Sequence, residues 1–313
     1  MAAQGGLSLD QDVMVLQPDD VSDVLALHDA RVVQPFRPVF EAFEAAGFAV
    51  SPETDGAADA VVVCLPRAKA EAYGMVAEAA ARSRGLVVVD GRKTDGVDSL
   101  LKAVSARVPL GGTVSKAHGK LFWFAGTDAF EDWRAGPALT EGGFWTAPGV
   151  FSADAIDEGS ALLAEALPDL KGHVADLGAG WGFLGAHILS RPNVEAAHLI
   201  EAHHMALQCA EHNITDTRAR FYWADARNWQ PRATMDAVVM NPPFHDGRAA
   251  DPKLGQAFIA AAAAMLAPKG KLFMVANRHL PYEEALTASF RKTVDLGGNQ
   301  RFKLILSEAP RRR

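Results

Sequence analysis

The sequence predicts an α/β protein made of two tandem doubly wound (Rossmann-like) domains, each a mostly parallel sheet with helices on both faces. Three observations predict it. A chain of 313 residues has room for about two domains of roughly 150 residues each. Short apolar strand-like runs alternate with helical stretches along its length, the pattern of parallel βαβ units. The halves also repeat each other. Asp59-Ala60-Val61-Val62-Val63-Cys64-Leu65-Pro66 aligns with Asp236-Ala237-Val238-Val239-Met240-Asn241-Pro242-Pro243, and each octet precedes an Ala-rich helix and a Gly-initiated apolar strand.

In chain order, the first half offers strands at 12–18, 31–35, 47–50, 59–66 and 85–91, with helices between them. The stretch 128–155, rich in Gly, Trp and acids, reads as the boundary, which places the domains at 1–135 and 136–313. The second half then reads strand 173–179, helix 183–190, strand 196–202, helix 204–213, and strands 219–226 and 235–241. A helix at 252–266, a strand at 270–277 and a helix near 282–291 follow. The last two strands, 293–296 and 302–306, are joined by Gly297-Gly298-Asn299. That makes a seven-stranded sheet ending in an antiparallel hairpin.

Composition narrows the function classes. With 49% hydrophobic and 22% charged residues, the chain is neither disordered nor a multi-span membrane protein. Its longest uncharged apolar run, Ala257 to Ala267, falls short of the roughly 20 residues a bilayer needs. The N-terminus shows no basic patch followed by an apolar core, so no secretion signal is read and a cytoplasmic address is expected. Cys64 and Cys209 are the only cysteines; they build neither a disulfide framework nor a four-ligand zinc site, and inert thiols are expected. The adjacent His203 and His204 do not share a helix face, so no metal is expected there. The sequence sets no oligomeric state, and a monomer is the expectation.

A net charge of −7 argues against a protein that coats nucleic acid non-specifically. The charge is uneven, however. Residues 1–60 hold eleven acids against Arg31 and Arg37, whereas 81–120 hold eight bases against three acids and 290–313 hold seven bases against two. These two basic segments are either ordinary solvated surface or local contacts for a polyanion.

The chemistry concentrates in the second half. Asp176-Leu177-Gly178-Ala179-Gly180-Trp181-Gly182 follows a strand and opens a helix, so the backbone can approach a ligand with no Cβ in the way. Alone the turn is ambiguous, because Gly180, Gly182 and Gly185 also satisfy the dinucleotide fingerprint and Glu201 lies about twenty residues on. An acid there serves any ligand that presents a ribose diol. Trp181 reads as a core plug rather than a ligand contact. What decides is Asn241-Pro242-Pro243-Phe244, placed after the fourth strand of the same sheet, at the carboxyl edge where ligands bind. A hydride-transfer enzyme has no need of this group. Methyl transfer to a planar exocyclic amine does need it, because a delocalised nitrogen must pyramidalise before it attacks. Carbonyl oxygens from the Asn241 side chain and the Pro242 backbone can accept its N–H bonds and stabilise that geometry. Phe244 can stack on the base. His245, beside Asp246 and Gly247, reads as a loop residue rather than a catalytic base.

DLGAGWG, Glu201, Asp225 after the third strand and NPPF resemble the class I S-adenosylmethionine-dependent methyltransferases that act on nucleobase amino groups. More narrowly, Pro148 to Ser152 with Asp157 and Gly159-Ser160, Asn241 to Gly247, Val275 to Asn277 with Leu280 to Tyr282, and Arg301 to Lys303 resemble the ribosomal RNA small subunit methyltransferase C family. The resemblance implies two methyltransferase-like domains, the first degenerate and serving RNA binding or structure, the second catalytic. It implies S-adenosyl-L-methionine as cofactor and the N2 amine of a guanosine in small-subunit rRNA as target. By position it implies that Asp176, Gly178 and Gly180 line the methionine end of the cofactor, Glu201 holds the ribose and Asp225 the adenine amine. Asn241 would touch both the cofactor edge and the target amine, with Pro242 and Phe244 completing the catalytic group. A sister family acting on large-subunit rRNA shares most of these motifs. The residues alone leave open adenine N6, a protein glutamine amide, and a non-catalytic RNA-binding assembly factor.

Overall fold

The computed structural model describes residues 12–27, 29–243 and 252–311, and the backbone of 245–246 and 249–250. Two compact units are present. The first runs to Pro137 and includes Ala147–Gly149; the second comprises Ala138–Thr146 and Val150 onward.

In the first unit the apolar runs become β1 (Val13–Leu16), β2 (Arg31–Val33), β3 (Ala49–Ser51), β4 (Ala58–Cys64), β5 (Ser83–Arg92), β6 (Gly112–Lys116) and β7 (Gly119–Ala125). They lie in the order 3-2-1-4-5-7-6, parallel except that β7 runs antiparallel to both β5 and β6. The helices are α1 (Arg37–Ala45), α2 (Lys69–Arg82) and α3 (Val97–Ser105). Helix α2 buries Ala72, Met75, Val76, Ala79 and Ala80, the helical spacing of one apolar stripe. That stripe packs with Leu16, Val61, Val63, Val87 and Val89. Burying each such valine contributes about 1.5–3 kcal/mol.

The hairpin β6–β7 was not among the expected strands. Its two-residue turn, Ala117-His118, has φ of +50° and +61° at both positions. That is the primed geometry hairpins favour, built here without the Gly or Asn that advertises it in sequence.

A short ribbon, β8 (Ala138–Leu139) with β9 (Trp145–Thr146), opens the second unit. Its sheet contains β10 (Gly172–Leu177), β11 (Val194–Glu201), β12 (Ala219–Trp223) and β13 (Met235–Met240). After a second ribbon, β14 (His245–Asp246) with β15 (Ala249–Ala250), come β16 (Leu266–Asn277), β17 (Phe290–Gly298) and β18 (Phe302–Pro310). The order 12-11-10-13-16-18-17 repeats that of the first sheet, again with an antiparallel terminal hairpin. Helices α4 (Glu158–Ala166), α5 (Phe183–Leu189), α6 (His204–Asn213), α7 (Pro252–Met265) and α8 (Glu283–Ser289) complete the unit. One face packs Leu177, Val238, Met240 and Met274 against Phe258 and Ile259 of α7. Among the described residues no helix is long and apolar enough to cross a membrane.

Several cations of the two basic segments pair with the protein's own acids. Arg82 pairs with Glu78, Arg84 with Asp12 and Asp59, Arg107 with Asp132 and Lys120 with Asp98. In the tail, Lys292 pairs with Glu308, Arg301 with Glu158, and Lys303 is buried against Glu283.

Candidate active site

The site forms where β10 and β13 lie side by side at their carboxyl ends, the switch point at which the chain order in a doubly wound sheet reverses. Strand β10 ends at Leu177 opposite Met240, so the glycine turn and Asn241 leave the sheet together. A cleft opens between them, lined by Gly178, Ala179, Gly180 and Asn241 and by Phe151 and Asp157 from the segment leading into α4. Gly178 and Gly180 have φ of +73° and +55°, which side chains disfavour. A Cβ on Gly180 would meet no atom within 4 Å, so open space lies beside it.

Glu201 closes one end of the turn. Its Oε2 accepts the Gly180 N–H at 2.7 Å and its Oε1 accepts the His203 N–H at 2.7 Å. Burial pushes its carboxyl upward, while those backbone donors pull the other way. Each oxygen keeps a lone pair for a further donor. Asp176 lies beneath the turn, fully buried, and neither of its oxygens has a hydrogen-bond partner. Burial pushes this carboxyl up to about 8, and the Glu201 charge adds to the effect. An uncompensated buried carboxyl is costly, and this one directly precedes the glycine turn.

Asn241 is the best-fixed member. Its Nδ2 donates to Asp157 Oδ2 at 2.9 Å and to Ser160 Oγ at 2.9 Å. Asp157 Oδ2 also accepts the Ser160 N–H at 2.8 Å, capping α4. Pro242 follows, buried. Trp181 is 4% exposed, donates from Nε1 to the Phe151 carbonyl and packs on Phe144 and Phe183. It plugs the cleft floor, as expected.

The remaining positions fall apart from this group. Asp225 is buried, and both its oxygens are engaged by Arg227, with the backbone N–H of Arg227 on Oδ1 as well. It is held by its own turn. Phe244 and the His245 side chain lie outside the described residues. Sequence reasoning quoted Asp157 and Ser160 only as part of a family pattern and assigned them no partner. Contact across 84 and 81 residues leaves no local signal, although the D-x-x-S spacing of a helix cap was there to read.

The chain matches the methyltransferase small domain model over residues 141–306. It is 33% identical to the ribosomal RNA small subunit methyltransferase C of Shewanella sp. (strain MR-4), covering 79% of this chain and 76% of that one. It is 32% identical to the protein of the same name from Shewanella oneidensis, over 78% and 75%. Its fold matches the T. thermophilus 16S rRNA N2 G1207 methyltransferase, solved with AdoMet and guanosine, at a TM-score of 0.81 and 25% identity, over 97% of this chain and 90% of that one. At that identity and coverage, the chain belongs to the ribosomal RNA small subunit methyltransferase C family.

Proposed function

We propose that this protein transfers a methyl group from S-adenosyl-L-methionine to the exocyclic N2 amine of a guanosine in ribosomal RNA, within the small ribosomal subunit. In this reading residues 136–313 are the catalytic domain, and 1–135 form a degenerate copy that serves RNA binding or structure. The observation that carries it is the placement of Asn241 on the same cleft as Gly178 and Gly180, so that an amine acceptor and a ligand-cradling turn face one space.

The residues fit the cofactor. In this reading the carboxyl of Asp176, buried without partners, compensates the cationic methionine end. Gly180 leaves open the space a side chain would fill, and Glu201 keeps acceptor capacity for a ribose diol. Asp225 would receive the adenine amine only by giving up a bond to Arg227. When bound, the cofactor supplies an electrophilic methyl on sulfonium. The protein's part is to hold the amine in line and to stabilise its developing positive charge. Asn241 Oδ1 and the Pro242 carbonyl accept the two N–H bonds as the nitrogen pyramidalises, and Phe244 stacks on the base. Proximity supplies the rest. A guanosine in folded RNA must be unstacked first, at a cost of a few kcal/mol.

Labelled cofactor incubated with naked rRNA, small subunits and large subunits tests this reading. Label recovered as N2-methylguanosine from small subunits is the expected result; N6-methyladenosine, or label only in large subunits, overturns the substrate. Asn241→Ala should lower kcat by about 10²–10³-fold, as loss of one charge-stabilising group does elsewhere. An unchanged rate would overturn the site.

A further inference from the structure

Asn241 carries two N–H donors and one carbonyl, and both donors are engaged: one on Asp157 Oδ2, one on Ser160 Oγ, each at 2.9 Å. An ionised carboxylate has no proton to give, so the amide cannot turn round without setting its carbonyl against a negative oxygen. Oδ1 is therefore the one polar atom of this side chain left to accept a bond, and Asn241 lines the cleft. The same Asp157 oxygen caps α4, tying the helix start to the amide that must meet the substrate.

We propose that Asp157 and Ser160 are positioning residues for methyl transfer, locking the Asn241 amide with Oδ1 toward the incoming amine and raising the negative charge on that oxygen through the Asp157 carboxylate. This rests on the reading above that Asn241 receives the target amine. The physics is specific. A released amide samples both orientations, and one of them opposes N–H to N–H. A charge-assisted bond is about twice as strong as a neutral one. Hydrogen bonds in a chain polarise one another by perhaps 10–30% per bond, so the Asp157 charge is felt at Oδ1. The nitrogen becomes positive only as it attacks, so the gain falls on the transition state and on kcat.

The test is single-turnover methyl transfer to small subunits by the full chain. Asp157→Asn keeps a capping side chain, since Asn caps as well as Asp, but loses the charge; Asp157→Ser caps without reaching Asn241; Ser160→Ala removes one acceptor. Each is also made in the Asn241→Ala background. Asp157→Asn should lower the rate about tenfold and Asp157→Ser about ten- to a hundredfold. The dissociation constant of S-adenosylhomocysteine should change less than about twofold, and the thermal midpoint should barely move. In the Asn241→Ala background these losses should vanish, because the residues act through Asn241. The proposal fails if Asp157→Asn transfers at the wild-type rate, if its loss multiplies in full onto that of Asn241→Ala, or if the loss lies wholly in cofactor affinity. Should Asp157→Asn not fold, Ser160→Ala retains the cap and carries the same comparison. Asn241→Ala transferring at the wild-type rate would instead sink the reading on which this inference stands.

Discussion

The two sheets share one strand order, and their registers allow a residue-by-residue comparison. Leu16 pairs with Val33 and Val63 in the first unit as Leu177 pairs with Ile200 and Met240 in the second. Val15 therefore stands where the second unit has Asp176, Gln17 where it has Gly178, Gln34 where it has Glu201, and Cys64 where it has Asn241. Every one of these positions has changed, while the apolar positions between them remain apolar. Burial maintains the sheet in both units, whereas only a ligand maintains the edge. Local geometry survives in part: Gln17 keeps the left-handed turn at φ +51°. Gln34 Oε1 still accepts the backbone N–H two residues on, as Glu201 does, but its Nε2 is turned onto the Pro18 carbonyl. Burial and the nearby Asp90 push the Cys64 thiol up, which leaves it inert rather than nucleophilic. The second unit carries the local conflict, a partnerless buried carboxyl, where the first has Val15 at the matching position.

The largest expected effect breaks that contrast at Asp176. Its folded carboxyl, raised to about 8 from an ordinary 3.8, makes the native state bind more protons than the unfolded chain between those values. Stability is then full below about pH 3.8 and falls as pH rises toward 8, by at most about 1.4 kcal/mol per unit. Asp176→Asn keeps the shape without the titration. The thermal midpoint of the cofactor-free variant should rise relative to wild type between pH 5 and 8. A difference that is flat over that range would mean the carboxyl titrates normally.

Next comes Gly180→Val. A β-branched side chain at φ +55° is strained by about 1–2 kcal/mol and would also occupy the open space above the turn. Calorimetry should show one S-adenosylhomocysteine per wild-type chain and affinity at least about a hundredfold weaker in the variant, some 2.7 kcal/mol. Unchanged binding would place the cofactor elsewhere, the first unit included. Glu201→Gln makes the second unit resemble the first at Gln34. The charge-assisted bond to the ribose is worth about 1.5–3 kcal/mol, so affinity should fall at least about tenfold with little change in folding. A loss of folding without a loss of affinity would assign Glu201 to the turn alone.

The parts of the molecule that sequence displays best are those with a local cause. Val61 to Val63 and Val238 to Met240 announce parallel strands because both faces of such strands are buried and the run is continuously apolar. The glycine turn and Asn241 could be placed because each follows directly on such a strand. The hairpin at Ala117-His118 escaped because neither residue is a turn former. The bonds that Arg227, two residues on, makes to Asp225 had no counterpart in the sequence reading, because the geometry of that turn, not the residue type, sets them. The holders of Asn241 are the cap of α4, Asp157, and Ser160 in its first turn, 84 and 81 residues away in sequence, and only the folded chain brings them to it.

The smallest effect sharpens the comparison at Gln17. Its left-handed backbone costs roughly 1–2 kcal/mol that Gly178 does not incur. In return its Nε2 donates at 3.1 Å to Glu71, whose carboxyl burial has raised and which that bond helps to offset. Gln17→Gly relieves the strain, loses a bond worth about 0.5–1.5 kcal/mol and frees the unfolded chain by about 0.4–1 kcal/mol. The terms nearly cancel, so the thermal midpoint should move by only a few degrees. Restoring the glycine should not restore a site, because Gln34 and Cys64 remain, and calorimetry should still count one S-adenosylhomocysteine per chain. A second equivalent bound by Gln17→Gly would show that a single side chain had closed the first unit's edge, and that the copy is dormant rather than lost.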